Sequence, residues 1–342
     1  MGPYEQLEAL LSKNPWLPER APQSQAELSG FIPKVGINAA EPSGTGSANH
    51  VGRQHVVSQC IQRNFTEDPT RPGSNLLAVN LGLLQKPTYR PGEYSTKSTG
   101  YFLDFVGYDS AGSEQLWKVV EDCIPLSVPA LGPGLPKESD QLIVRSAIAL
   151  HWARRLTTKK LTEQSVQEAY EQVPAAVKHA FALSGGLHTT ASEIEGVRAA
   201  TAKTLMDLND NGSLFRYSVE RIFRRAVSAC RLGRIFILSA PDNAEFLIGD
   251  NPVIVHDMDG NHAPDAPLLE LYSMAMPLTP QFMVKIERDG HGTGAGTQSL
   301  TQDEVDSWNR LQVAQAKQFV MLRPGANLLD DVRSWVTEIV AE

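Results

Sequence analysis

Four side chains of this sequence have the chemistry of a polar reaction centre: His55, Asp250, Asn251 and Asn309. A histidine that meets a carboxylate in the folded chain can act as a general base, or the two can ligate a divalent metal ion. Carboxamides both donate and accept hydrogen bonds, which suits them to orient a polar ligand. We therefore treat these four residues as the candidate catalytic set, with a divalent metal as a candidate cofactor.

The most informative local feature is the turn Gly-Asp-Asn-Pro at 249–252, which follows the apolar run at 246–248. A carboxylate at the end of a buried strand lies among backbone dipoles that shift its pKa. Asn251 precedes a proline and is kept out of the α region, so its amide projects from the strand end. The alternative is an Asx-turn, in which the Asp250 and Asn251 side chains only satisfy backbone N–H groups.

The other two members of the set also have alternatives. A lone histidine such as His55, at the start of an apolar helix face, is commonly half-buried and structural. Asn309, Gln312 and Gln315 lie at i, i+3 and i+6 of a predicted helix and form roughly one stripe. That stripe either binds a polar ligand, with Gln312 as a substrate contact, forms a buried hydrogen-bond network, or is a solvated face.

Basic residues are concentrated between 216 and 234. This segment contains six arginines and only one acidic residue, Glu220. At helical spacing Arg221, Arg224 and Arg225 share a face. A basic helix on an acidic protein favours a phosphate-bearing ligand or an acidic protein surface as its partner. Ion pairing within the chain is the alternative.

A predicted helix at 139–156 carries three more candidates, Arg145, His151 and Arg154. They are either solvated or directed at an anion. Glu121, on the preceding predicted helix, is a candidate partner for them.

Composition and charge narrow the class of protein. The chain has 342 residues and a formal net charge of −8, so it lacks the basic surplus typical of a duplex-binding protein. Its 3 scattered cysteines form neither a disulfide framework nor a thiolate zinc site. The sequence shows no secretory signal, membrane-length apolar run, nucleophile elbow, Walker lysine motif or dinucleotide fingerprint. We expect a soluble, cytoplasmic protein with no membrane partner.

The hydrophobic pattern predicts an α+β fold in which a helix-rich middle packs on a mostly antiparallel sheet. Predicted helices lie at 4–12, 55–65, 116–126, 139–156, 162–172, 175–183, 190–208, 214–230, 301–318 and 328–340. Predicted strands lie at 76–81, 101–106, 234–238, 246–248, 253–255, 274–278, 282–286 and 319–322, with 234–238 and 246–248 forming a hairpin. Residues 1–48 are expected to be an N-terminal arm or linker, and residues 49–342 a single domain.

Three segments occur in a distinctive order: 54–65, which contains His55; 245–253, which contains the Gly-Asp-Asn-Pro turn; and the pair 276–280 and 309–316. Together they resemble the uncharacterised bacterial family called domain of unknown function 4238. That family has a His-aromatic-Val-Pro segment, a Ser-Asp-Asn-Pro turn, a Pro-Leu-Ser/Thr-Pro strand and a helix opening with Asn. Ser58 stands where its proline is expected, and Gly249 where it has serine. The resemblance covers roughly residues 54 to 322. It implies a bacterial source and no particular activity.

Two functions follow as hypotheses. In the first, the chain is a hydrolase-type enzyme directed at a phosphodiester. His55 and Asp250 are then base or metal ligands, and the Arg221 to Arg225 face binds the substrate anion. In the second, it is a non-catalytic binding or regulatory module, of the kind found in bacterial conflict systems, and the same arginine face docks a partner.

Overall fold

The computed structural model describes residues 2–12, 53–86, 88–103, 105–106, 110–131, 136–183, 190–210, 213–288 and 294–341. Most of the predicted arm at 1–48 lies outside these residues. Its first part is a helix, α1 (Pro3–Ser12), and the side chain of Leu7 is buried in the main hydrophobic core. The division of the chain at residue 48 stays a prediction.

Helices dominate the middle of the chain, as the apolar periodicity predicts. In chain order they are α2 (Gln59–Gln62), α3 (Ser110–Glu121), α4 (Ile124–Ser127), α5 (Glu138–Ala153), α6 (Leu156–Leu183), α7 (Ala191–Asp210), α8 (Ser213–Arg231), α9 (Gln302–Gln315) and α10 (Leu329–Ala341). A 3₁₀ turn (Arg63–Phe65) continues α2. α5 packs against α8, and both contribute side chains to the main core. No helix in the described part of the chain is long and apolar enough to cross a bilayer.

The strands of the described residues form three sheets. They are β1 (Arg53–His55), β2 (Asn75–Asn80), β3 (Gly92–Ser95), β4 (Tyr101–Leu103), β5 (Arg234–Ser239), β6 (Ile248–Gly249), β7 (Ile254–Asp257), β8 (Leu271–Pro277), β9 (Phe282–Glu287), β10 (Ala295–Ser299) and β11 (Phe319–Leu322). The five-stranded sheet has the order β10-β5-β9-β8-β7, the four-stranded sheet the order β3-β2-β11-β6, and β1 pairs with β4. All pairs are antiparallel except β10 with β5. The fold is therefore α+β with mostly antiparallel sheets, as predicted.

The predicted hairpin of 234–238 with 246–248 is wrong. β5 pairs with β9 and β10, whereas β6 pairs with β11 in the other sheet. The polar turn between them marks a change of direction. It does not decide which strands pair, because register is set by the buried faces of whole strands.

The two helices predicted at 162–172 and 175–183 are one continuous helix, α6, which runs through Pro174. A proline inside a helix removes one backbone hydrogen bond. α6 packs against both α7 and α8, and we attribute the continuity of the helix to this packing.

Candidate functional site

Asp250 caps the segment that joins α9 to β11. One carboxylate oxygen accepts a hydrogen bond from the backbone N–H of Lys317 at 2.7 Å, and the other accepts from Gln318 at 2.8 Å and Phe319 at 3.1 Å. Burial raises the pKa of Asp250, and these three donors act in the opposite direction. These contacts are the ones expected of a structural cap.

Three carboxamides of α9 cover the open edge of β6. Asn309 accepts from a backbone N–H at 3.0 Å and donates to a carbonyl at 2.8 Å; Gln312 repeats the pattern at 2.9 Å and 2.7 Å. Gln315 donates to one more carbonyl. The backbone partners are Leu247 and Glu245 for Asn309, Gly249 and Pro252 for Gln312, and Asn251 for Gln315. The predicted stripe is thus buried and replaces a neighbouring strand.

This arrangement satisfies an edge strand that would otherwise bury unpaired N–H and C=O groups. It also explains Gly249. A Cβ there would lie 3.2 Å from the Cβ of Ala316 and from both the carbonyl and the side-chain oxygen of Gln312. Any larger residue would push α9 away from β6. The side chains of Asp250 and Asn309 form their hydrogen bonds with backbone groups. A catalytic role for either residue stays a prediction.

His55 ends β1, where it pairs with Tyr101 of β4, and the two rings meet edge to face at 5.9 Å. The amide Nε2 of Gln59 lies 3.3 Å from the imidazole Nε2, and the ring also hydrogen-bonds the backbone at Thr96. Burial, and then the charge of Arg154, lowers the pKa of His55. The ring is therefore neutral at neutral pH, as a general base requires.

The structure brings four of the predicted site residues together and places His55 elsewhere. Asp250, Asn251, Asn309 and Gln312 all contact the segments at 245–252 and 309–319. Among the described contacts, those of His55 and those of Asp250 share no residue. The predicted His55–Asp250 pair is not formed.

Behind His55 lies a buried polar group that we call the Ser58 cluster: Ser58, Glu121, His151 and Arg154. The Ser58 hydroxyl oxygen lies 2.6 Å from a Glu121 carboxylate oxygen, 2.7 Å from Arg154 Nη2 and 3.0 Å from His151 Nε2. Arg154 pairs with Glu121 at 2.9 Å, and its guanidinium lies 5.0 Å from the centre of the Trp117 ring. The predicted partnership of Glu121 with the helix at 139–156 is confirmed for Arg154.

The Ser58 cluster contains a hydroxyl next to a histidine, as a catalytic nucleophile and its base would be, but this histidine cannot act as a base. The Nδ1 of His151 lies 2.7 Å from the carbonyl of Ala147 and donates to it, so Nε2 is the acceptor. Burial lowers the pKa of His151 to about 3, which makes it too weak a base to activate a hydroxyl at neutral pH. Ser58 is itself fully buried. We conclude that the cluster ties α3 and α5 to the start of α2.

A proline at position 58 could not make these contacts. The backbone N–H of Ser58 donates to His151 Nε2 at 3.1 Å, and its hydroxyl binds Glu121. Proline has neither group. Ser58 therefore has a defined structural role that a proline could not fill.

A cleft of about 540 Å³, which we call the basic cleft, lies beside α2. Three segments form it: α2 with its 3₁₀ turn supplies Arg63, the loop at 69–74 supplies Arg71, and the turn at 95–97 supplies Lys97. Its described lining contains no carboxylate. Gln59 and Thr96, the two neighbours of His55, also line it.

The loop that presents Arg71 is held by Asp68. One carboxylate oxygen of Asp68 accepts hydrogen bonds from the N–H and the hydroxyl of Thr70, at 2.9 Å and 2.6 Å. The backbone N–H of Asp68 donates to the Ser74 hydroxyl at 3.0 Å. The Thr70 bonds, with a smaller contribution from Arg71, lower the pKa of Asp68. Asp68 is thus ionised near the rim, with one oxygen committed to the loop.

The arginine face of α8 lies on another element. Arg221 and Arg225 are exposed and Arg224 is half-buried, so the predicted basic face is present. Burial, and then the charge of the nearby Arg221, lowers the pKa of Arg225. Arg145 does not belong to this face, because its guanidinium is buried and donates to the carbonyls of Cys230 and Gly233.

Within the described residues no group of three or more His, Cys, Asp or Glu side chains is placed to hold a metal ion. A divalent metal at His55 and Asp250 therefore has no structural support. Any metal chemistry stays a hypothesis.

A family model described as "Protein of unknown function (DUF4238)" matches residues 138–326, more than half of the chain. The chain belongs to this family. No curated protein and no solved structure matches it significantly. The matched residues contain the Asp250 turn, the α9 carboxamides and two members of the Ser58 cluster. His55 and the basic cleft precede them.

Sequence reasoning missed the three cations of the basic cleft. Arg63, Arg71 and Lys97 have no common spacing and lie on different segments. The one available signal was the polar, proline-rich and glycine-rich composition of residues 66–74, which predicts an exposed loop.

Proposed function

We propose that this chain is a hydrolase-type enzyme that acts on a phosphate ester bound in the basic cleft. The observation that carries the proposal is that Arg63, Arg71 and Lys97 line one cleft in which none of the described lining residues is a carboxylate. Arginine and lysine are the side chains that bind phosphate through charge-assisted hydrogen bonds.

His55 is the proposed general base. Its ring is neutral, and Gln59 and Thr96 connect it to the cleft wall. In the described conformation Gln59 donates to the imidazole. A substrate phosphate that draws the Gln59 amide into the cleft would free the ring nitrogen to accept a proton from water. The water oxygen then attacks phosphorus while its proton passes to His55, the bond from phosphorus to the ester oxygen breaks, and the leaving oxygen takes up a proton from solvent. His55 then releases its proton to solvent.

Hydrolysis of a chromogenic phosphate monoester and a phosphodiester, each with and without Mg²⁺ or Mn²⁺, tests the proposal. We expect turnover by the wild type and a loss of roughly a hundredfold or more in His55→Ala. His179→Ala is a matched histidine control. Equal turnover by wild type and His55→Ala would remove the assignment of the base.

The basic face of α8 favours a second candidate, a module that docks an acidic protein surface. Charge reversal of Arg221, Arg224 and Arg225 to Glu would then abolish partner capture, while His55→Ala would leave it intact. Loss of hydrolysis in the first variant would instead place the substrate anion on α8. We place either function in the cytoplasm, since all 3 cysteines are free, and cell fractionation checks this.

A further inference from the structure

We infer that the basic cleft selects a compact phosphorylated polyol, such as a sugar phosphate, rather than a nucleic-acid strand or a mononucleotide base. The inference rests on the proposed function for the presence of a phosphate group. It adds the chemistry of the rest of the ligand.

The three cations that line the cleft supply the positive charge to hold a phosphate group. Arg63, Arg71 and Lys97 come from three separate segments that meet around one cleft. A phosphate monoester carries a charge of about −1.5 to −2 at neutral pH. The three cations together exceed the charge of one such dianion and suffice to bind it, whereas a strand needs a row of cations along its backbone.

The described lining of the cleft contains no aromatic side chain. Proteins that bind single strands or nucleobases place aromatic rings where the bases can stack, at about 1–3 kcal/mol per base. Pro69 and Pro72 are the main apolar residues of the wall, and they are small. Among the described lining residues, therefore, nothing offers a ring on which a base could stack.

The polar groups of the remaining wall are hydroxyls and an amide, set in a lining whose area is mostly apolar. Thr70, Ser74, Ser95, Thr96 and Gln59 all line the cleft. A hydroxyl has one donor and two acceptor positions, so the bonds of Thr70 to Asp68 and of Ser95 to Ser98 leave capacity on each. These groups can hydrogen-bond the hydroxyl groups of a polyol, and the apolar part of the wall can pack on its carbon skeleton.

The size of the cleft agrees with this class. Its volume of about 540 Å³ falls within the range of small-molecule sites, about 300–1,000 Å³. It holds a phosphorylated pentose or hexose with ordered water.

Calorimetric titration with ribose 5-phosphate, ribose, inorganic phosphate, AMP and a thymidine octanucleotide tests the inference. We expect ribose 5-phosphate to bind at least about tenfold more tightly than ribose, phosphate or the octanucleotide, a difference of about 1.4 kcal/mol. AMP should gain nothing over ribose 5-phosphate, since no ring stacks on its base.

Variants of the lining residues show which side chains bind the phosphate group and which bind the polyol. Arg63→Gln and Lys97→Gln should each weaken binding of ribose 5-phosphate and of inorganic phosphate by about tenfold. Ser95→Ala should weaken binding of ribose 5-phosphate and leave that of phosphate unchanged. Arg198→Gln and Lys203→Gln, on the exposed helix α7, are matched controls that should change neither.

The outcomes separate this inference from the proposed function. Cation-dependent binding of ribose 5-phosphate without any hydrolysis contradicts the enzyme and keeps the ligand class. Tighter binding of the octanucleotide or of AMP overturns the ligand class. Binding of ribose 5-phosphate that is unaffected by both cation variants also overturns it, because the site then lies elsewhere.

Discussion

His151 Nε2 accepts the backbone N–H of Ser58 at 3.1 Å and lies 3.0 Å from the Ser58 hydroxyl oxygen. The contact joins α5 to the residue that precedes α2. Because α2 and its 3₁₀ turn carry Gln59 and Arg63, the buried contact holds one wall of the basic cleft in place.

Ser58→Ala should destabilise the protein without changing any covalent reactivity. It removes one partner each from Glu121 and Arg154, and an unsatisfied buried group costs about 1–3 kcal/mol. Urea unfolding measures the loss, with the exposed Ser192→Ala as control. A fluorophosphonate probe should not label Ser58, and labelling would contradict our assignment of a structural role.

The stability of the protein should fall as the pH is lowered below the ordinary histidine pKa of 6.5, because the pKa of His151 is lowered to about 3 in the fold. In this window the unfolded chain binds a proton that folded His151 does not, so acid favours unfolding. We expect a shallower pH dependence of the urea midpoint in His151→Gln. Identical slopes in the two proteins would mean that His151 titrates normally.

Glu114 should have the opposite effect. Burial raises its pKa to about 7 from an ordinary 4.5, so its folded state holds a proton that the unfolded chain has lost. Its stabilising contribution is complete below the ordinary value and is lost as the pH rises toward 7. Glu114→Gln should therefore be relatively more stable at pH 8 than at pH 5, and Glu138→Gln, which is exposed, should show no such change.

Asp250→Ala should be among the most damaging single changes. It leaves three backbone donors, those of Lys317, Gln318 and Phe319, without their acceptor, at a cost of about 3 kcal/mol or more. Asp259→Ala, at an exposed position a few residues away, is the control. A stable Asp250→Ala protein that has lost hydrolysis would support the catalytic prediction instead.

Asn309→Leu tests whether Asn309 of α9 stabilises the fold by covering the edge of β6. The substitution keeps the side-chain size but leaves the N–H of Leu247 and the carbonyl of Glu245 without a hydrogen-bond partner. We therefore expect the free energy of unfolding to fall by about 2 kcal/mol or more. Gln318→Leu, which is exposed, should cost little. Thermal unfolding of both variants checks this, and an unchanged midpoint for Asn309→Leu would contradict the edge-covering role.

Local elements were determined by the sequence. Apolar periodicity predicts the helices of the middle third, and the capping box of Thr301 with Glu304 is present at the start of α9. The turn at Asp250 was also predicted, together with its Asx-type alternative. These features depend on hydrogen bonds and side-chain faces within a few residues, which a short stretch of sequence specifies.

The partners of those elements were decided by the tertiary structure. Ser58 and His151 are 93 positions apart, and Asn309 covers a strand edge 62 positions away, at Leu247. No local pattern records such a pairing, because it follows from how all the buried faces pack at once. For the carboxamide stripe the sequence left three alternatives open: a ligand contact, a buried network or a solvated face. Packing selects the buried network, in which the stripe takes the place of a neighbouring strand. The same packing brought Arg63, Arg71 and Lys97, which share no spacing, to one cleft beside His55.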